Sequence, residues 1–240
     1  MERLSPADRR IAWDACLNVR DMGGLSAGDT TIRRGVLVRA SALGTMTGAG
    51  RDAVRAYGIR TVIDLRSPEE VAVAPSPYAD GARYQHRHFL HGTTMGLRRA
   101  TRNGTMSEEL RTLAEPDSGL AMIVGELADA EPGIVLHCVA GRDRTGFIIA
   151  VVLSAMGVPD QDVIADYAAS DAELAEEYER FIGTHPADEA DIREAVEHRE
   201  LSMVTVLATI RRDHRDAASY LLAAGVTAPQ LARLRAKLLV

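Results

Sequence analysis

The chain has 240 residues, 46% hydrophobic and 26% charged, enough apolar material for one sizeable core and too much for wholesale disorder. A net charge of −6 and an isoelectric point of about 5.7 argue against a nucleic-acid binder, so any positive charge for an anionic partner must be local. The two cysteines give no disulfide framework, no run is long enough for a transmembrane helix, and MERLSPADRR lacks a signal peptide's apolar core, which makes the cytoplasm the default setting.

In chain order, residues 1–45 read as a segment of short strands, RGVLVRA among them, with Gly23-Gly24 suited to a turn of positive φ. Helix 47–57, stopped by Gly58, is followed by strand 60–66 and helix 68–73. Ser67 at the N-cap, Pro68 at the first helical position and Glu70 three residues on form a capping box. The turn APSPYADG leads to strand 84–90, then to a polar, Gly-punctuated loop over 91–105 that borders the pocket. Helices near 107–114 and 118–130 precede strand 134–138 and an apolar helix over 145–157 closed by Gly157. Everything beyond Pro159 reads as helical, with caps at Asp160, Ser170 and Thr227 and stops at Gly183 and Gly225. Strands interleaved with helices early and helices alone later predict an α/β fold. Its central, mostly parallel sheet is flanked by helices, with a C-terminal helical addition.

The segment HCVAGRDRTG (His137–Gly146) carries the chemistry. It sits where a strand delivers the chain to a helix N-terminus, where unpaired N–H groups and the positive end of the helix dipole attract anions. Cys138 is placed at the strand's end as a nucleophile. A thiol's ordinary pKa of about 8.5 falls to roughly 3.5–7.5 beside helix N-termini and cations, so a thiolate is expected at neutral pH. The amides of Val139, Ala140 and Gly141, with Arg142, suit a phosphate cradle. Arg144 can curl back so that its planar fork holds two phosphate oxygens and the charge that develops in transfer. Thr145 suits hydrogen bonding to the departing thiolate, and His137 suits orienting the loop, because a thiolate needs no base. Such catalysis is covalent and calls for no metal or cofactor. Cys16, alone in WDACLNV, reads as a small inert hydrophobe. His86, His88 and His91 lack the carboxylate or cysteine spacing of a metal site.

Cys-x5-Arg with a preceding His and a following Thr-Gly resembles the cysteine-dependent protein tyrosine and dual-specificity phosphatases. With Asp143 directly before Arg144, it is more specifically similar to bacterial tyrosine/lipid phosphatases typified by a secreted mycobacterial enzyme, whose members typically carry Lys where this chain has Arg142. NVRDMGGL (Asn18–Leu25), LVRASAL (Leu37–Leu43), GIRTVIDLRSPEE (Gly58–Glu70) and the tail YLLAAGVTAPQLARLRAKLL resemble further blocks of that family, so the similarity spans nearly the whole chain. It implies one phosphatase domain over 1–240, a phosphatase-like sandwich, and a helical lid over 160–212 gating the site, against the alternative of helices packed permanently on the sheet. It also leaves non-classical export open.

The leaving group needs a proton. No Trp-Pro-Asp element is present, since the single tryptophan is Trp13, and EPDSG (Glu115–Gly119) reads as a turn and helix cap. The resemblance therefore implies Asp143 as the acid, with a structural ion pair as the alternative. Asp64 and Arg66 lie at the C-terminal end of a strand, where open α/β sheets bind ligands. The resemblance places Asp64 in the pocket, or in an ion pair fixing Arg66 or Arg144. Arg20 is expected to support the phosphate loop from outside. Two substrate classes stand: phosphoproteins, mainly at phosphotyrosine with dual specificity, and phosphoinositides, favoured by the extra cation Arg142. Retention of Cys138, Arg144 and Thr145 argues against a third reading, a non-catalytic phospho-binding module.

Overall fold

A computed structural model of the chain describes residues 4–81, 83–89, 116, 118–197 and 199–240. The expected loop 91–105, helix 107–114, His91 and Asp117 lie outside the described residues.

A five-stranded sheet runs in the order β1 (Arg20–Asp21), β4 (Leu37–Ala40), β7 (Ile134–His137), β5 (Thr61–Asp64), β6 (Tyr84–His86). Only the β1–β4 pair is antiparallel; β4, β7, β5 and β6 are parallel neighbours. A separate two-stranded ribbon joins β2 (Ser26–Ala27) to β3 (Thr30–Thr31). The register sets Ala40 and Asp64 level with His137 on either side, so the three C-terminal strand ends form one edge. Side chains alternate between two cores, as period-2 strands require. Val38, Val62 and Val135 face helix α1 (Gly48–Ala56), while Leu37, Ile63, Ile134 and Leu136 join the larger helical core.

That larger core is built around α4 (Asp143–Met156), where residues from Phe147 through Leu153 are all buried. Around it pack α3 (Ser118–Asp129), α5 (Asp160–Glu173), α8 (Arg199–His214), α9 (Ala217–Ala224) and α10 (Ala228–Leu238). Between α5 and α8 run α6 (Ala175–Thr184) and α7 (Glu189–Glu197). Gly157, at φ +93, closes α4 in the left-handed conformation, as its sequence position implies. The C-terminal end is tied back, with Arg33 N donating to Leu238 O at 2.6 Å.

Several boundaries move. The strand expected over 134–138 ends at His137, so Cys138 lies one residue beyond it; α4 begins at Asp143, which puts Asp143 and Arg144 in its first turn. The strand over 84–90 is regular only to His86, and that over 60–66 only to Asp64. The capping box at α2 (Pro68–Val73) and the one at Thr227 are both formed. Asp160 is the first residue of α5 rather than its cap, because Pro159 takes that place. Ser170 is not a cap either: it lies inside α5 with its hydroxyl turned to Arg20 and Arg39. α6 runs past Gly183 to Thr184, with Gly183 outside the left-handed region, whereas Gly225 stops α9 at φ +108. The α9 cap is Asp216, whose carboxylate accepts from Ser219 N at 2.7 Å.

Gly133 turns the chain into β7 at φ +93, and a Cβ there would lie 2.2 Å from Gly58 O. Gly133→Ala is expected to destabilise by roughly 1–3 kcal/mol, read as a lower urea midpoint; an unchanged midpoint would contradict the close approach.

Candidate active site

Parallel strands place their C-terminal ends together, and at this edge the chain leaves β7 for the N-terminus of α4. Cys138 is buried at 3% exposure. Gly141 has φ +65, and a Cβ on it would lie 2.1 Å from Ala40 O, so only glycine fits this turn. The carbonyls of the loop are held on one side. Asn18 Nδ2 donates to Ala140 O at 3.0 Å and Gly141 O at 3.1 Å, and Arg39 Nη2 donates to Gly141 O at 2.6 Å. Because a trans peptide sets its C=O and N–H antiparallel, the N–H groups of Gly141 and Arg142 point the other way. Among the described residues nothing accepts from the backbone N–H of Val139, Ala140, Gly141, Arg142 or Arg144. Five amide donors without partners among the described residues, beside the positive end of α4, make a place suited to an anion.

Arg144 is aimed by a carboxylate that local sequence assigned only to a cap. Glu70 accepts from its Nη1 at 2.7 Å and Nη2 at 2.8 Å, while also capping α2 by accepting from Ser67 N at 2.7 Å. The Glu70 carboxyl lies below its ordinary range because burial, which raises it, is outweighed by hydrogen bonds from Arg144 and Ser67 N. Thr145 is fully buried, and its hydroxyl has no partner among the described residues.

Asp64 pairs with Arg66, not with Arg144. It accepts from Arg66 Nε at 2.9 Å and Nη2 at 2.7 Å and from the Tyr84 hydroxyl at 2.7 Å. Burial pushes this carboxyl up, but Arg66, His137 and Tyr84 together hold it at about 2. His137 is fully buried; its Nδ1 lies 3.1 Å from Cys138 O, a pure acceptor, which fixes the hydrogen on Nδ1. Burial, against the opposing pull of Asp64, keeps this imidazole below its ordinary pKa and therefore neutral at pH 7.

Arg142 and Asp143 form a second cluster. Asp143 accepts from Arg142 Nε at 3.1 Å and Nη2 at 2.9 Å, and from the Tyr167 hydroxyl at 3.2 Å. Arg142 also donates to the Tyr178 hydroxyl, and its guanidinium lies 5.3 Å from that ring's centre. The Arg142 side chain thus binds the loop to α6, and its backbone N–H is the part that faces the cradle. Arg20 reaches the loop through Asn18, whose Oδ1 accepts from Nη1 at 2.6 Å. Sequence reading missed Asn18, Arg39 and Glu70 as parts of this site; Asn18 and Arg39 sit within blocks that resemblance had marked, and Glu70 was visible as a cap. Among the described residues no three His, Cys, Asp or Glu side chains converge on a metal position. Nor is any described helix long and apolar enough to cross a membrane.

Comparison with known proteins shows the family. Residues 11–240 match the sequence model described as the tyrosine phosphatase family. A tyrosine-protein phosphatase of Nostoc commune is 29% identical over 225 residues, covering 87% of this chain and 76% of its own. The triple specificity protein phosphatase PtpB of Mycobacterium tuberculosis is 32% identical over 192 residues, 66% of this chain and 67% of its own.

Asp64 binds its proton less readily folded than unfolded, so its contribution to stability is present above its unfolded pKa of about 3.9 and is lost as pH falls toward about 2. Asp64→Asn, which leaves Arg66 buried without a counter-charge, is expected to cost roughly 3–5 kcal/mol at neutral pH. The gap to wild type in urea midpoint should narrow between about pH 4 and pH 2; a constant gap would contradict the ion pair's role.

Proposed function

The chain belongs to the tyrosine phosphatase family, and we propose that residues 1–240 form one domain that hydrolyses phosphomonoesters through a phosphocysteine. The main substrate proposed is phosphotyrosine in proteins, with dual specificity as its extension. The observation carrying this reading is the Cys138–Thr145 loop itself: a buried thiol beneath unpartnered amides, closed by an arginine that a carboxylate aims. The name of the mycobacterial relative, a triple specificity protein phosphatase, supports more than one phosphoresidue as substrate.

In the proposed reaction the amides of Val139, Ala140, Gly141 and Arg142 hold the phosphate's non-bridging oxygens. The Glu70 pair engages Arg144 through Nη1 and Nη2, which leaves Nε–H and a second Nη2 hydrogen as a fork for two of those oxygens. Cys138 attacks phosphorus; the S–P bond forms as the bond to the ester oxygen breaks, and Asp143 gives its proton to that oxygen. Water then attacks the phosphocysteine, Asp143 takes a proton from it, and the S–P bond breaks to release phosphate. Thr145, buried with no hydroxyl partner among the described residues, suits donation to the departing sulfur. Asp143 can act as an acid only when Arg142 releases its carboxylate, so substrate arrival must loosen that pair. His137 and the Asp64–Arg66 pair orient the strand ends, and Arg20 supports the loop through Asn18.

A phosphoinositide is the second reading; the additional cation Arg142 supports it once substrate draws its side chain away from Asp143 and Tyr178. The proposed lid narrows from 160–212 to its outer part. α5 and α8 contribute Val163, Tyr167, Met203, Val206, Leu207 and Ile210 to the core, whereas α6 and α7 bury, among described side chains, Ile182 and Ile192. α6 and α7, with fewer buried side chains among the described residues, are the part proposed to move, and Tyr178 of α6 would then leave Arg142 and Asp171.

Wild type and Cys138→Ser should be assayed on a phosphotyrosine peptide and on monophosphoinositides. The expected result is fastest wild-type turnover of the peptide and loss of at least about 10³-fold in the variant. Preference for the lipid would replace the substrate assigned here, and equal, null turnover by both proteins would overturn the hydrolase. Asp143→Asn is expected to lose more kcat on an alkyl phosphate, whose leaving group needs a proton, than on an aryl phosphate; full activity on the alkyl ester would remove Asp143 as the acid.

A further inference from the structure

Behind the phosphate loop lies a charge cluster of which the reaction above uses only Arg20. Asp166, on α5, is buried at 1% exposure and is contacted by three arginines that are equally buried. Arg9 Nη2 donates to its Oδ1 at 2.7 Å, Arg20 Nε to Oδ1 at 3.1 Å, and Arg39 Nη1 to Oδ2 at 2.6 Å. Arg20 and Arg39 also share the Ser170 hydroxyl, at 3.3 and 3.0 Å. One carboxylate against three guanidiniums leaves an excess of positive charge in the interior. Buried ion pairs are weak devices for stability, because desolvation offsets their attraction.

The cluster's outer contacts show where it acts. Arg39 spans Asp166 and the Gly141 carbonyl with one guanidinium. Arg20 spans Asp166 and Asn18 Oδ1, which leaves Asn18 Nδ2 aimed at the Ala140 and Gly141 carbonyls. Asn18 itself holds φ +56, in the left-handed region that asparagine adopts more readily than other non-glycine residues.

We propose that Asn18 and Arg39 are positioning residues for phosphoryl binding: anchored by Asp166, Arg20 and Ser170, they hold two loop carbonyls backward so that the Gly141 and Arg142 amides face the phosphate. This rests on the phosphatase reading above only for its consequence in kcat; the cradle itself is a matter of oxyanion binding. Severing the anchor frees the peptide planes at 140–142 to rotate, turning a carbonyl oxygen toward the anion in place of an N–H. Phosphate and its analogues then lose affinity, and the trigonal transition state loses more, since it carries its charge on those oxygens.

The test uses tungstate as a non-covalent oxyanion probe, with calorimetric binding, kcat on a phosphotyrosine peptide and thermal unfolding measured on the same preparations. Asn18→Gly removes the amide while tolerating the left-handed backbone. It is expected to weaken tungstate binding about tenfold or more and to lower kcat further, toward the 10²–10³-fold typical of one lost oxyanion donor. Ser170→Ala, a smaller change that leaves every charge in place, is expected to shift tungstate affinity in the same direction by a few fold, and it decides the matter if Asn18→Gly does not fold. Folded variants with wild-type tungstate affinity, whatever their melting temperature, would overturn the inference, because a merely structural role moves only the unfolding. Wild-type protein that binds tungstate but hydrolyses no phosphomonoester would instead overturn the phosphatase reading, while the variants' binding would still decide the positioning.

Discussion

The peptide units that join Ala140, Gly141 and Arg142 are the constraint on which the rest of the site depends. A loop that must present several N–H groups to one anion must send the matching carbonyls somewhere, and buried carbonyls require donors. Asn18 and Arg39 are those donors. Gly141 makes the geometry accessible, since any Cβ would strike Ala40 O, but a glycine alone permits many conformations and specifies none. Specification comes from the two side chains and from the ions that hold them.

This requirement explains why distant segments meet. Asn18 and Arg20 come from the edge of β1, Arg39 from β4, Asp166 and Ser170 from α5, and the loop from between β7 and α4. The parallel register of β4 and β7 sets Arg39 opposite Leu136, two residues from Cys138, and that of β5 sets Asp64 opposite His137. A sheet of this kind concentrates side chains at one edge without any of them being close in sequence. The apolar α4 then anchors the loop from the other side, with its first turn exposed to the cradle and its remainder in the core. Rigid support behind and a charged, partly open face in front is the division of labour that anion chemistry needs.

Most of this architecture was written in local patterns. The strand, the glycine-containing loop and the apolar helix around Cys138 follow from β-branched runs, loop residues and Gly157, and the capping box at Ser67 and the cap at Thr227 follow from their residue types and spacing. What local pattern did not reveal was partnership across long stretches of chain. Asp166 sits in the middle of a helix and contacts arginines 127, 146 and 157 residues away, for which sequence carries no spacing rule. Ser170 resembled a cap because serine favours that position, and its burial against two guanidiniums became visible only in the fold. Glu70 has two tasks, and the local one concealed the other. Arg142 was expected beside the phosphate by its position in the loop, yet its side chain turns to Asp143 and Tyr178, where a local carboxylate and an aromatic face outcompete solvent.

The account requires that phosphorus be transferred to sulfur within this cradle. The most direct measurement is acid quenching of wild-type protein during steady turnover of a phosphotyrosine substrate, followed by mass analysis of the peptide that contains Cys138. A phosphoryl group carried on Cys138, absent from Cys138→Ser, is the expected result; turnover that proceeds while Cys138 is never phosphorylated would contradict it.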